Sequence, residues 1–271
     1  SVAEIVLRDY QLESIERLRQ GIRDGHRSQI LCSPTGSGKT VIAAHLMGRA
    51  QAKYQRAAFV VDRVNLVDQT SAVLQSYGID HGVIQAAHWR YRPYERLQVC
   101  SAQTLEKRGF FENTDLLIVD EAHCVRKQTA DFIKNMPNLK VLGLTATPFT
   151  KGLGDLYSNF VNVTTTNRLV EQGHLVPLRM YAAKAIDMTG AKVIAGEWAE
   201  KDIEERGLRI IGDVVGEWID KTTRHFGGPV KTIVFSATVE HGNELCRQFN
   251  DAGFNFQQIS YRDKNDDTRR A

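Results

Sequence analysis

The sequence predicts an α/β protein: a parallel sheet with helices on both faces, followed by a second, incomplete α/β unit. Three observations carry that expectation. Short β-branched or apolar runs alternate with longer helical patterns, the run Leu116–Val119 is apolar at every position, and the pattern restarts after a Gly- and Pro-containing break near residue 171. Strands alternating with helices imply βαβ units and a parallel sheet. A strand that is apolar throughout is buried on both sides, as in the middle of such a sheet.

Taken in order, strands are expected at Gln29–Cys32, Ala57–Val61, Gln98–Ser101, Leu116–Val119 and Val141–Thr145. Helices are expected at Lys39–Lys53, with Val41, Ala44, Leu46 and Met47 on one face, and at Leu66–Ser76. The polar run Thr164–Asn167 and the segment EQGHLVP at Glu171–Pro177 read as a linker, since Gly ends a helix and Pro prevents its continuation. This divides the chain into a first domain, 1–168, and a linker plus partial second domain, 169–271. The second unit is expected to hold a strand near Leu178–Ala183 and helices at about Glu197–Arg206 and Ile211–Phe226. A strand at Thr232–Phe235, a helix at Val239–Ala252 and a strand at Phe256–Ser260 follow. So few elements would leave a sheet edge uncovered, so this domain is expected to be truncated.

Composition narrows the class. Of 271 residues, 42% are hydrophobic and 25% charged, a balance typical of a packed globular protein. No apolar run reaches membrane-spanning length and no basic-then-apolar signal segment opens the chain, so no membrane partner is expected. The four cysteines, Cys32, Cys100, Cys124 and Cys246, form no CxxC pair. That spacing excludes a cysteine-pair zinc module and suggests a reducing, cytoplasmic setting. A net charge of +3 permits nucleic-acid binding without arguing for it.

Two motifs carry chemistry. Ser33–Thr40 reads SPTGSGKT between a strand and a helix, the context that gives a phosphate-binding loop its meaning. In it Pro34, Thr35, Gly36, Ser37 and Gly38 form the turn, with the two glycines freeing the backbone N–H groups to face phosphates. The following helix adds its positive end. Lys39 would reach the β- and γ-phosphates and the Thr40 hydroxyl would ligate Mg²⁺, implying ATP and Mg²⁺ as cofactors. Ser33 stands where the strict pattern has Gly, and a small residue suffices there. The second motif, Asp120-Glu121-Ala122-His123, follows the apolar run. A carboxylate at the carboxyl end of a buried parallel strand points into the crevice where open α/β sheets bind ligands. Asp120 is placed to hold the metal and Glu121 to orient and deprotonate an attacking water. An acidic surface loop would explain neither their adjacency nor their pairing with a phosphate loop.

With LTATP at Leu144–Pro148, this DEAH sequence resembles the superfamily-two DEAD/DEAH helicases, in particular RadD-like and phage-type members near the XPB and restriction-motor branches. Other segments match in the family's order: Arg8-Asp9-Tyr10-Gln11, VVDRVNLVDQ at Val60–Gln69, SAQTL at Ser101–Leu105 and IVFSATVEHGNEL at Ile233–Leu245. The resemblance implies two RecA-like domains, the second truncated here, and an ATP- and Mg²⁺-dependent motor. It implies that Arg8, Tyr10 and Gln11 form the adenine-recognition element, with the Gln11 amide on the adenine edge. Arg63, Gln103 and Thr104 would face a nucleic-acid backbone, which gives grip without sequence choice. Thr145 and Thr147 would couple the ATP site to the polymer, and His123 would relay between domains. The family's motifs V and VI have no counterpart before Ala271; Arg269 and Arg270 lie outside a motif VI context and are not assigned as finger arginines. The chain is therefore expected to be a fragment with slow turnover.

The run WRYRPYER at Trp89–Arg96 interleaves aromatics with arginines. It suits stacking on bases and neutralising phosphates, and equally a solvated loop with its rings packed down. For the polymer, DNA is favoured over RNA by the spelling of EQGHLVP and of the Ile233–Leu245 segment, which points towards DNA repair and phage branches. An RNA helicase, or a nucleotide-gated sensor that binds ATP and nucleic acid with little turnover, are the alternatives.

Overall fold

The computed structural model describes residues 3–34, 38–148, 150–181, 193–194, 197–198 and 211–260. They fall into two compact units, Ser1–Pro177 and Leu178–Ala271.

The first unit contains α1 (Asp9–Arg23), β1 (Ser28–Cys32), α2 (Lys39–Ala52), β2 (Ala57–Val61), α3 (Leu66–Ser76), β3 (Gly82–Ile84) and β4 (Leu97–Ser101). It continues with α4 (Ala102–Arg108), β5 (Leu116–Val119), α5 (Lys127–Asn135), β6 (Lys140–Thr145), α6 (Leu153–Leu156), β7 (Asn159–Asn162) and α7 (Thr166–Glu171). The seven strands form one sheet in the order β3-β4-β2-β5-β6-β1-β7, with every pairing parallel. This is the RecA-like sheet that the sequence led us to expect. Parallel pairing puts all carboxyl ends on one edge. Because the late strands β5 and β6 line up beside β1, the loop after the first strand sits next to loops about a hundred residues further along the chain.

Side chains alternate across the sheet with period two. On one face Leu31, Phe59, Ile118 and Leu144 pack against Ile15 and Leu18 of α1, Ile42 and Met47 of α2, and Val67 and Leu74 of α3. On the other, Ile30, Val60, Leu117 and Val119 pack against Leu105 of α4, Ile133 of α5 and Leu153 of α6. β5 holds the centre of the sheet, as its uninterrupted apolar run requires. The buried stripe of α2 is Ile42, Ala43, Ala44, Met47 and Ala50, while Val41 and Leu46 are only half-buried. The sequence reading had placed Val41 and Leu46 on the core face and missed Ile42. The reason is that α2 approaches the sheet along its small-residue side.

The expected linker closes the first unit instead. The Thr165 hydroxyl caps α7 by accepting from Arg168 N at 3.2 Å. Leu169 is fully buried. Gly173, at φ 75°, turns the chain so that His174 N donates to Leu169 O at 2.8 Å, a glycine-terminated helix end. The His174 ring then lies 5.8 Å from that of Tyr10, and Leu175 packs on the core. The first unit thus runs through Pro177 rather than ending at residue 168.

In the second unit α8 (Ile211–Phe226) and α9 (Val239–Asp251) lie where the sequence placed them. They meet through an aromatic cluster in which Trp218 stands edge-on to Phe249, Phe254 and Phe256. A short antiparallel pair joins β8 (Val193–Ile194) to β9 (Glu197–Trp198), where Glu197 and Trp198 had been assigned to a helix. The rest of that helix, 199–206, lies outside the described residues, as do residues 182–183 of the strand expected near 178. Thr232–Phe235 and Phe256–Ser260 form no strand, nor do residues 178–181. Ile233 and Phe235 are 81% and 92% exposed. A β-branched run becomes a strand only when another strand takes its N–H and C=O groups, and no neighbour does so among the described residues.

Candidate functional site

The site is assembled at the carboxyl edge by the neighbouring ends of β5, β6 and β1. After β1, Gly38 takes φ 77° and opens α2, a conformation that suits glycine. A Cβ there would lie 2.5 Å from Gln11 Nε2, so the loop and α1 approach as closely as glycine allows. Thr35, Gly36 and Ser37 lie outside the described residues; Pro34, Gly38, Lys39 and Thr40 are half-buried around them. Lys39 Nζ sits 3.9 Å from Asp120 Oδ1 and 3.8 Å from Glu121 Oε1. The two motifs singled out in the sequence therefore converge on one point.

Burial pushes the Asp120 carboxyl above its ordinary 3.8, Lys39 pulls it back, and the neighbouring Glu121 and Asp62 charges push it up further. Such a site favours a cation. Among the described residues no three His, Cys, Asp or Glu side chains converge as a cage. Mg²⁺ takes one or two protein oxygens and completes its shell with phosphates and water. Asp120 and Thr40 are the oxygen donors at hand, so the residues fit the group. Glu121 has φ 51°, a left-handed conformation rare outside glycine, asparagine and aspartate. Its loop is pinned by Asp120 N to Val60 O at 2.9 Å and Ala122 N to Leu144 O at 3.0 Å.

Thr145, fully buried at the end of β6, joins these pieces. Its carbonyl accepts from Ser33 N at 2.9 Å, at the start of the phosphate loop. Its hydroxyl oxygen accepts from Thr147 N at 3.0 Å and lies 2.8 Å from His123 Nδ1. His123 Nε2 faces Glu121 Oε2 at 3.3 Å. His123, Thr145 and Thr147 thus form one chain ending on the Glu121 carboxylate.

The Arg8–Gln11 element is built differently from a solvated helix start. Gln11 is buried; its Oε1 accepts from Arg8 N at 2.9 Å, reaching back across the first turn of α1, while its Nε2 meets Gly38 O at 3.4 Å. Tyr10 is packed in the core, and its hydroxyl accepts from Arg8 Nη1 at 3.1 Å.

The residues expected to face a polymer lie along the same edge. Arg63 is exposed after β2. Gln103 is braced internally: its Nε2 donates to Asp62 O at 2.7 Å and its Oε1 accepts from Ser101 Oγ at 3.0 Å. Thr104 Oγ1 accepts from Ala86 N at 3.4 Å. In the Trp89–Arg96 run the arginines are occupied. Arg90 is buried and donates to His81 O, Gln75 Oε1 and Asp80 Oδ1 at 2.9–3.1 Å. Arg92 pairs with Asp80 and Arg96 donates to Tyr54 O. Trp89 and Tyr94 remain about three-quarters exposed. The arginines of this loop therefore hold the loop together. Cys100 is buried, which pushes its thiol up to about 12.

Sequence reasoning missed Asp62 and Arg126. Asp62 Oδ1 receives Arg126 Nη2 at 2.9 Å and Nε at 3.1 Å. The available signal was an acidic residue directly after a buried strand, the same signal that singled out Asp120.

Comparison with known proteins places this geometry. The chain is 28% identical over 230 residues to a 51.5 kDa protein of a Lactococcus phage (isolate 7-9), covering 82% of this chain and 46% of that one. It is 23% identical to the type I restriction enzyme EcoAI endonuclease subunit of Escherichia coli, covering 95% of this chain and 35% of that one. The chain thus spans less than half the length of these relatives. Its fold matches the type ISP restriction-modification enzyme LlaGI, solved with a DNA substrate mimic, at a TM-score of 0.50 and 17% identity, covering 78% of this chain and 23% of that one. Residues 4–150 match the family described as type III restriction enzyme, res subunit, and the chain belongs to that family, within the superfamily-two helicases.

Proposed function

We propose that this chain is the nucleotide-hydrolysing part of an ATP- and Mg²⁺-dependent motor that moves along or remodels DNA. The observation that carries the reading is the convergence of Lys39 on Asp120 and Glu121 within 4 Å, across three adjacent strand ends. In this reading the Lys39 ammonium and the N-terminal amides of α2 draw the phosphates in. Glu121 orients water and accepts its proton, and His123 Nε2 holds the carboxylate in place. A bound Mg²⁺ would offset charge on the phosphate oxygens, held by Asp120 and Thr40. Arg63 supplies a sequence-independent contact to the polymer backbone. DNA is preferred to RNA because the type ISP restriction-modification enzyme LlaGI, whose fold this chain matches, was solved in complex with a DNA substrate mimic. A role in DNA repair and a cytoplasmic location belong to the same reading; no helix among the described residues is long and apolar enough to cross a membrane.

The test separates binding from chemistry. Lys39→Ala should abolish Mg·ATP binding. Glu121→Gln should bind Mg·ATP and turn it over at least a hundredfold more slowly, in the ~10²–10⁴ range of general-base catalysis. Asp120→Asn should weaken only the metal-dependent part of binding. Wild-type hydrolysis by Lys39→Ala, or equal loss of binding in the two carboxylate variants, would contradict these roles. Turnover measured with duplex DNA, single-stranded DNA and RNA decides the polymer.

A further inference from the structure

We propose that the Asp62–Arg126 ion pair is the link through which a polymer on the Arg63 loop changes nucleotide affinity at Lys39, Asp120 and Glu121; the proposal rests on the motor reading above. Asp62 touches three strand-end loops at once. It precedes Arg63 in the chain, its carbonyl accepts the Gln103 amide at 2.7 Å, and its carboxylate takes two guanidinium nitrogens of Arg126. Both charged groups are largely shielded, with side chains 22% and 31% exposed, so the pair is screened less than a surface ion pair.

Arg126 ends the loop that starts at Asp120. It occupies the N-cap position of α5, and the first free amides of that helix are held from α4, Gln128 N and Thr129 N donating to the Glu106 carboxylate at 3.2 and 3.3 Å. The loop's near end is tied to β2 by Asp120 N and Val60 O. Between these two grips lies Glu121 with its left-handed backbone. A displacement of residues 62 and 63 therefore reaches the far end of the Glu121 loop through one ion pair, while the near end stays fixed to the sheet. Asp62 and Arg126 act on the site as positioning residues; neither touches nucleotide or polymer in this scheme.

Lying between two sites does not by itself demonstrate coupling, so the test is a linkage measurement on the 271-residue chain. Mg·ATP affinity is measured with and without saturating mixed-sequence duplex DNA for wild type, Asp62→Asn, Arg126→Gln and the charge-swapped pair Asp62→Arg/Arg126→Asp. Wild type should bind Mg·ATP about fivefold tighter on DNA, the low end of common coupling factors. Each single variant should reduce that factor below twofold while its affinity for DNA alone changes less than twofold. The swap should restore it. Asp62→Asn and Arg126→Gln change the charge near Asp120 in opposite senses, so a purely electrostatic effect would move them apart, and a merely structural effect would lower the unfolding midpoint without touching the ratio. Single variants with wild-type linkage, opposite shifts, or wild type binding both ligands with no linkage would each overturn the link alone. Wild type that binds no polymer, or no Mg·ATP, overturns the motor reading and the link with it.

Discussion

Replacing Gly143 by alanine tests how tightly the sheet holds the DEAH loop. Gly143 lies in β6, and an added Cβ would sit 2.6 Å from Ile30 Cδ1, 2.8 Å from Ala122 Cβ and 3.0 Å from Tyr157 Cε1. Restoring carbon contacts to about 3.5 Å requires shifts of roughly 0.5–0.9 Å. Nothing nearby can swing into solvent, since Ile30, Ala122 and Tyr157 are 4%, 2% and 7% exposed. Ala122 moves least easily of the three, because its Cβ is fixed to a backbone that donates to Leu144 O. Overpacking of this kind costs about 1–3 kcal/mol, and a domain of this size loses roughly 2–4 °C in midpoint per kcal/mol. Ala122 also adjoins Glu121, and a misplacement near 1 Å can slow catalysis about a hundredfold. Urea and thermal unfolding give the first number, and ATP turnover well below the variant's midpoint gives the second. Gly154→Ala is the control, since its Cβ would meet nothing within 4 Å, and it should be neutral or slightly stabilising. A Gly143→Ala protein within about 0.5 kcal/mol of wild type and equally active would refute the packing argument.

Gln11→Ala should narrow the preference for ATP over GTP, read by competition binding; wild type that binds GTP as tightly as ATP would leave Gln11 as a brace for Gly38 alone. Arg63→Ala should flatten the log–log salt dependence of DNA binding by about 0.9. Arg90→Ala should leave that slope unchanged and instead lower unfolding free energy by on the order of 2 kcal/mol, because it unpairs the His81 carbonyl and removes a charge-assisted bond. His81 is buried, and burial pushes its imidazole below the ordinary 6.5, with the Ile79 carbonyl opposing and Arg90 adding to the shift. The fold thus prefers the neutral ring: its contribution is complete above about pH 6.5 and declines as pH falls below that value. Urea midpoints measured from neutral pH down to about pH 5 should show this decline in wild type and less of it in His81→Gln.

The central strands were legible because burial on both faces leaves an uninterrupted apolar run: β2 and β5 match the expected bounds residue for residue, and β1, β4 and β6 differ by one. The edge strands β3 and β7 were not, since Gly82–Ile84 is only three residues and Asn159–Asn162 has just two apolar residues between two asparagines. The site's charged residues announced themselves by lying at strand ends. What could not be read was which polar groups the protein keeps for itself. Gln103 and Arg90 have the composition of polymer contacts, and only the positions of Asp62, Ser101, His81 and Asp80 show that they bind inward. The second unit was legible in two of its expected helices, α8 and α9, whose periodicity is local. Its expected strands depended on partners that periodicity does not supply.

The left-handed backbone of Glu121 has a consequence for how this protein can evolve. A non-glycine residue held there raises the free energy of the folded chain by about 1–3 kcal/mol, and glycine would relieve most of it. Position 121 is therefore a place where the fold and the chemistry select opposite residues. A drift to glycine would yield a sturdier, inert protein, and retention of the carboxylate keeps the loop above its conformational minimum. A loop held in that state has free energy to release when its surroundings change, and the residue that stores it is the one that would perform the chemistry.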